Sequence, residues 1–388
     1  MPKSSGVTVF DDLPEWLVVD EILVRLPAKD VLRCRAVRKS WRGGTSTNAF
    51  ILNHHRHQPS LPIIRNTEGI YRHVGSPTDQ KIQRVLRHAD PFTNEMTVCH
   101  AACDGLLILE KQSNFYICNP TTRKCASLPH PPEWSRTSAI SVVGFYRLHT
   151  SGEHRVLWVS YSKQVSYLVF IGAAVSTELP DYFVLTVGSD QPRCIQWSIV
   201  SKHGYPSTLS HISPPVHNRA CLHWATGFSI TVFDTVAETF WQMSRPAQLG
   251  DKVSLLVMGG SLALCCTTND CVNLDVWVLQ DYDAETWGFQ YRFNLSAMEA
   301  LPPFKFDFNT LPRMAVINER ELLIEQCVGR LLHCDIDGVF LGYVGTKEPG
   351  KHFMLTMQRL QESMISVPLF EAQEEDAVNK EPPFVMVL

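Results

Sequence analysis

Asp11 to Arg42 reads DDLPEWLVVDEILVRLPAKDVLRCRAVRKSWR, and this stretch sets a short helical head apart from the long remainder of the chain. Asp12 is placed to cap a helix, Glu15 follows three positions later to complete a capping box, and Pro14 is tolerated in a first turn. Leu17, Val18, Ile22, Leu23 and Leu26 then recur at roughly helical spacing until Pro27 forbids continuation, which predicts one helix of about three turns. Asp30 can cap a second short helix through Val31, Leu32 and Ala36, and a third should run through Val37 and Trp41 until Gly43 and Gly44 end it. Three short helices bury too little surface to be comfortably stable alone, so their apolar positions are expected to lie against a partner.

Around this head the signals are weaker. Between Arg25 and Arg42 stand seven basic residues and one acid, a pattern that nucleic acid could read but that an exposed helix face carries more commonly. His54, His55 and His57 flank Arg56 with no cysteine or carboxylate nearby in sequence, which reads as a polar linker rather than a metal site, and Pro59 and Pro62 suit a boundary.

From about residue 95 the pattern changes to short apolar runs of strand length separated by Asn, Asp, Gly and Pro, which predicts an all-β domain. An internal repeat runs through it: an aliphatic run, a second run with aromatics, then an Asp- or Asn-led turn and a closing strand. Its copies lead from Cys103–Leu106 to Asn119–Lys124, from Cys221–Trp224 to Asp234–Thr239, from Gly260–Leu264 to Asp281–Trp287, and from Arg320–Ile324 to Asp335–Gly338. Each copy has the length of a four-stranded blade, so the region holds about six blades around a channel, with a β-sandwich as the alternative.

Composition narrows function further. The chain has 388 residues, 45% hydrophobic and 19% charged, with 35 Lys plus Arg against 39 Asp plus Glu, so neither nucleic acid nor acidic lipid is an expected partner. The amino-terminal residues lack the apolar stretch of a signal peptide, and the longest weakly polar run, Ser254 to Cys266, is too short to span a bilayer; a cytoplasmic or nuclear protein with no membrane partner is expected. Twelve scattered cysteines then read as reduced, mostly buried thiols. No nucleophile elbow, phosphate loop or zinc-protease motif occurs. Cys99-His100 with Cys103, and the Cys265, Cys266, Cys271 group, read as strand residues rather than metal ligands, so no catalytic residue, metal or cofactor is assigned. Most of the tryptophans, from Trp134 to Trp287, are assigned to the core.

The head resembles the F-box through Leu13-Pro14, Ile22-Leu23, Arg25-Leu26-Pro27, Leu32-Arg33-Cys34-Arg35, Val37 and Lys39-x-Trp41, departing from it at Gly43-Gly44, where the third helix is expected to fray early. The remainder resembles the F-box-associated domain of large plant families through Cys103-Asp104-Gly105-Leu106-Leu107, Asn119-Pro120-Thr121-Thr122-Arg123, Val187–Asp190 with Arg193-Cys194-Ile195, Leu222-His223-Trp224 and Phe233-Asp234. The resemblance implies that Leu13, Pro14, Ile22, Leu23, Leu26, Pro27, Leu32, Cys34, Val37 and Trp41 bind a Skp-family adaptor and through it a cullin scaffold. The chain is then the non-catalytic receptor of a ubiquitin ligase, its β domain holding an unidentified target protein for transfer by proximity. The rivals are a non-degradative scaffold, a propeller enzyme or sugar-binding domain, and a nucleic-acid binder. The expected organisation is α+β: a three-helix F-box at 10–55, a linker leading into the β domain at 56–94, the β domain at 95–360, and an acidic flexible tail at 361–388.

Overall fold

A computed structural model describes residues 13–66, 69–73, 82–88, 97–130, 138–162, 180–196, 214–226, 228–250, 253–267, 273–294, 313–326, 330–344, 353–367 and 384–388. The first apolar run forms a continuous helical stretch, a π-helical segment Leu17–Ile22 followed by a 3-10 turn Leu23–Arg25. Pro27 ends it, as its missing N–H and ring require. Helices α1 (Ala28–Cys34), α2 (Lys39–Thr45) and α3 (Asn48–His57) follow, making four helical elements rather than three. Asp12 lies outside the described residues. Asp30 caps nothing: it sits inside α1 and pairs with Arg33 at 2.9 Å.

Gly43 and Gly44 do not end α2, which continues to Thr45. A Cβ on Gly44 would lie 3.1 Å from a Val19 methyl, so this glycine lets α2 approach the first helical stretch closely. The supposed histidine linker is α3, capped by the Thr47 hydroxyl accepting the Phe50 N–H at 3.2 Å.

The sheets begin at once, so the described residues of the expected linker and entry at 56–94 are mostly strand from Ser60 onward. β1 (Ser60–Asn66), β2 (Gly69–His73) and β3 (Ile82–His88) join the late strands β24 (Met354–Gln361) and β25 (Phe384–Met386) in one sheet, ordered β24-β1-β2-β3-β25. The remaining strands form sheets of consecutive antiparallel neighbours. These are β4 (Val98–Cys103) to β7 (Lys124–Ser127), β8 (Ser138–Arg147) to β11 (Arg193–Ile195), β12 (Val216–Asn218) to β15 (Thr239–Met243), β16 (Val253–Met258) to β19 (Thr286–Asn294), and β20 (Met314–Val316) to β23 (Phe340–Val344).

The result is a six-bladed β-propeller, and a sandwich is excluded because each sheet shares its two faces with two different neighbours. In β17 (Ser261–Thr267), Leu262, Leu264 and Cys266 enter the core shared with the preceding blade, while Ala263 and Cys265 enter the core shared with the next. Alternate side chains leave opposite faces of a strand, so a strand buried on both faces reads as an uninterrupted apolar run. Those cysteines are core residues, with burial pushing the Cys266 thiol up to about 11. Cys118 and Cys125, directly opposed across β6 (Asn114–Asn119) and β7, depart from the all-thiol expectation and form a disulfide. Of the tryptophans assigned to the core, Trp158 and Trp224 are fully buried, Trp241, Trp277 and Trp287 are half-buried against it, and Trp134 and Trp197 lie outside the described residues.

The Asx-led turns take the predicted form. Asn119, Asp234 and Asp281 each accept two backbone N–H groups from the residues two and three positions on. Residues 362–367 continue directly from β24 and 384–387 bond to β3, so these parts are no free tail; Glu371 to Asp376 lie outside the described residues.

Candidate functional site

The ten residues assigned to adaptor binding divide into three groups. Leu23 and Trp41 are core, 3% and 8% exposed, packed with Val18, Val24, Val31 and Phe50. Leu13, Leu26, Leu32 and Cys34 are half-buried at the edge of that cluster, Ile22 is half-buried, and Pro14, Pro27 and Val37 stand exposed. The sequence reading passed over Trp16, a large apolar side chain that is 62% exposed, close to the 64% of Val37. Glu15 accepts a hydrogen bond from Ser40 at 2.9 Å and faces Arg38 at 3.9 Å, bringing the chain around Trp16 and around Val37 to one side of the head. Large exposed apolar groups on an otherwise buried unit mark an interaction face.

Behind that face the head is fixed to the propeller through residues 361–365. Gln361 Nε2 donates to the carbonyls of His55 and Gln58 at 2.7 and 2.9 Å. A Glu362 carboxylate oxygen accepts the Ala28 N–H at 3.1 Å, and the Glu362 carbonyl accepts from His55 Nδ1 at 3.0 Å. Met364 enters the helical core itself.

Two of the sequence signatures of the β domain grip this segment from the other side. Asn119, fully buried, donates through Nδ2 to the carbonyls of Ser363 and Ile365 at 3.0 and 2.7 Å. Asp104-Gly105 makes the tight turn between β4 and β5 (Leu106–Lys111), both residues at positive φ, and a Cβ on Gly105 would fall 2.4 Å from Ser363 Cβ. Only glycine fits there. What reads in the sequence as turn chemistry therefore also positions the head.

Asp104 adds the electrostatics of the junction. Its carboxylate accepts from His154 at 3.1 Å and lies 3.6 Å from His55 of α3 and 3.7 Å from Arg147. Burial works to raise its pKa, and the hydrogen bonds from His154 and His55 override this, holding it well below the usual carboxylate range. Cys103, Asp104 and His154 also bring potential metal-ligand atoms within 4.8 Å of one another, but the Arg147 guanidinium beside them makes an ionic cluster the better account. His54, buried, donates from Nε2 to the Leu26 carbonyl at 2.8 Å, and desolvation pushes its pKa down. None of these histidine partners could be paired from sequence, because they lie tens to hundreds of residues apart.

Comparison with known proteins places this geometry. A family model described as the F-box associated beta propeller domain matches residues 61–309, more than half of the chain. The F-box protein At5g18160 of Arabidopsis thaliana is 26% identical over 293 residues, covering 73% of this chain and 69% of that protein. F-box protein At5g10340 of the same plant is 24% identical over 363 residues, covering 83% and 77%. The F-box/LRR-repeat/kelch-repeat protein At2g27520, again from Arabidopsis thaliana, is 22% identical over 337 residues, covering 82% and 86%. The chain belongs to the family of proteins carrying the F-box-associated β-propeller domain.

Proposed function

We propose that this protein is the substrate receptor of a Skp-cullin-F-box ubiquitin ligase in the cytosol or nucleus, docking the adaptor on its helical head and a target protein on its propeller. The observation that carries the reading is the exposed apolar face around Trp16 and Val37, on a head whose other large apolar side chains, among the described residues, are buried or half-buried. The junction supports it: a receptor acts by holding its target at a set distance from the ubiquitin donor, and a head bonded to the propeller through Gln361–Ile365 transmits position where a flexible linker would not. The chain supplies recognition and geometry, and its partners supply the transfer chemistry.

The test is co-purification of the full chain with a Skp-family adaptor, beside Val37→Glu and Trp16→Ala. Both residues are exposed, so these changes leave the head folded, whereas changes at Leu23 or Trp41 would unfold it. The intact chain is expected to retain the adaptor and Val37→Glu to weaken it by about ten-fold or more. An intact chain that does not bind sinks the reading; unchanged binding by both variants sinks the assigned face. Ubiquitin transfer to a captured target, lost with Val37→Glu, separates the ligase from a scaffold.

A further inference from the structure

The channel of the propeller opens toward the helices as a cavity of about 680 Å³, within the range of small-molecule sites. Inner strands of all six blades contribute to its wall, and His55 of α3 stands at its rim. Much of the wall is apolar, with Val257, Val316 and Met357 among its residues. Arg359 on β24 is also part of that wall.

Several other arginines of the described residues face acids, although half-buried Arg35 bonds only Thr45 and Met364. Arg292 meets Asp275 through two bonds of 2.7 Å, and Arg155 meets Glu238 at 2.6 Å. Arg359 instead donates to neutral oxygens only: Val316 O, Ser60 Oγ and Ser60 O. Among the described residues no ion pair reaches it, although Asp104, engaged by His154 and His55, and the exposed Glu319 line the same cavity. Burial alone pushes its pKa down to about 10, with no acid raising it again. A desolvated cation is costly unless an anion meets it, and the guanidinium fork has N–H groups beyond the three used here.

The backbone beside it is strained toward the same place. Met357 holds φ at +62° in the middle of β24, where the pairing with β1 slips between Pro62 and Ile64. A left-handed non-glycine residue at a bulge costs free energy and occurs where a strand must redirect a side chain. Here the bulge sets Met357 and Arg359 at the channel wall.

We propose that this cavity binds a small organic carboxylate with an apolar body, its carboxylate paired with Arg359 and its body against Val257, Val316 and Met357. The ligand is small because α3 borders the mouth. Seated there, it touches the helical head and the propeller at once. The proposal stands apart from adaptor binding, and its test needs no partner protein.

The probes are octanoate and 1-octanol, equal in length and different in charge, titrated calorimetrically into the full chain, Arg359→Met and Val257→Phe. Octanoate is expected to bind saturably at one site, with octanol weaker by about ten-fold or more. Arg359→Met should erase that preference, and Val257→Phe, which fills the cavity without touching the guanidinium, should weaken both probes while the unfolding midpoint stays put. Equal affinity for the two probes, no binding at millimolar concentration, or a preference that survives Arg359→Met overturns the proposal. Should Arg359→Met fail to fold, Val257→Phe decides: octanoate binding left intact by it places the ligand elsewhere and overturns the proposal equally.

Discussion

His223 shows how a signature residue acts once its surroundings are known. It is fully buried on β13 (Cys221–Thr226), with Nδ1 3.1 Å from the Val216 carbonyl and Nε2 2.8 Å from the Tyr282 hydroxyl. Burial pushes its pKa from 6.5 down to about 4. The unfolded chain therefore takes up a proton near pH 6.5 that the folded chain refuses until about pH 4, so the stabilisation is complete above 6.5 and is lost progressively as pH falls through that window. Each unit within it is worth about 1.4 kcal/mol. Urea unfolding at pH 7.5 and pH 5 should show the intact chain losing about 2 kcal/mol more than His223→Gln between the two. Equal losses would mean that the folded chain protonates this imidazole as readily as the unfolded chain does. Its neighbour Trp224 donates from Nε1 to the Val143 carbonyl on β8, a tie between blades. The Leu-His-Trp pattern is legible in the sequence as a motif; the hydroxyl 59 residues away that completes it is not.

Among elements, α2 and α3 are where sequence reasoning went astray, and both for local reasons. Gly43 and Gly44 have low helix propensity and read as a stop, yet packing against the first helical stretch carries α2 through them. The two are not equivalent. A Cβ on Gly43 would have nothing within 4 Å, whereas one on Gly44 would press against Val19. Gly43→Ala should therefore stabilise the head by about 0.5–1 kcal/mol, the full propensity gain in an exposed helix interior, while Gly44→Ala gains less because Val19 must shift. Denaturant midpoints of the two variants test this, and a destabilised Gly43→Ala would show that α2 does end early in solution. In α3 the run of histidines hides a face that is half core, since His54 and His55 are buried alongside Phe50. In β1 to β3 the interspersed arginines and Pro62 mask strand alternation. The turns were legible because their chemistry is local: each Asx side chain bonds backbone within three residues.

For the molecule as a whole, four repeats marked four of the six blades; β8–β11 carries no copy, and the blade that closes the ring is not continuous in the sequence. Its inner strand β24 and outer strand β25 come from the end of the chain, and the three strands between them from just after the helices. A permuted blade escapes any search for self-similarity, which is why 56–94 read as a linker and 361–388 as a tail. The permutation also ties ring closure to placement of the head, because β24 runs straight into the segment that carries Met364 into the helical core. The two late strands should then differ sharply in importance. Deleting Phe384–Leu388 removes one short outer strand and the buried Phe384 ring, a loss of about 2–3 kcal/mol that lowers the melting temperature and leaves the ring closed. Deleting everything from Met354 onward strips the inner strand of the sixth blade, opens the cores it shares with both neighbours, and releases the head from its clamp. That chain should elute as an aggregate and lose its near-ultraviolet circular dichroism, while the shorter deletion elutes as the intact protein does. Identical behaviour of the two deletions would show that closure rests on β25, and a cooperative unfolding transition in the longer one would show that five blades and the helices stand without the sixth.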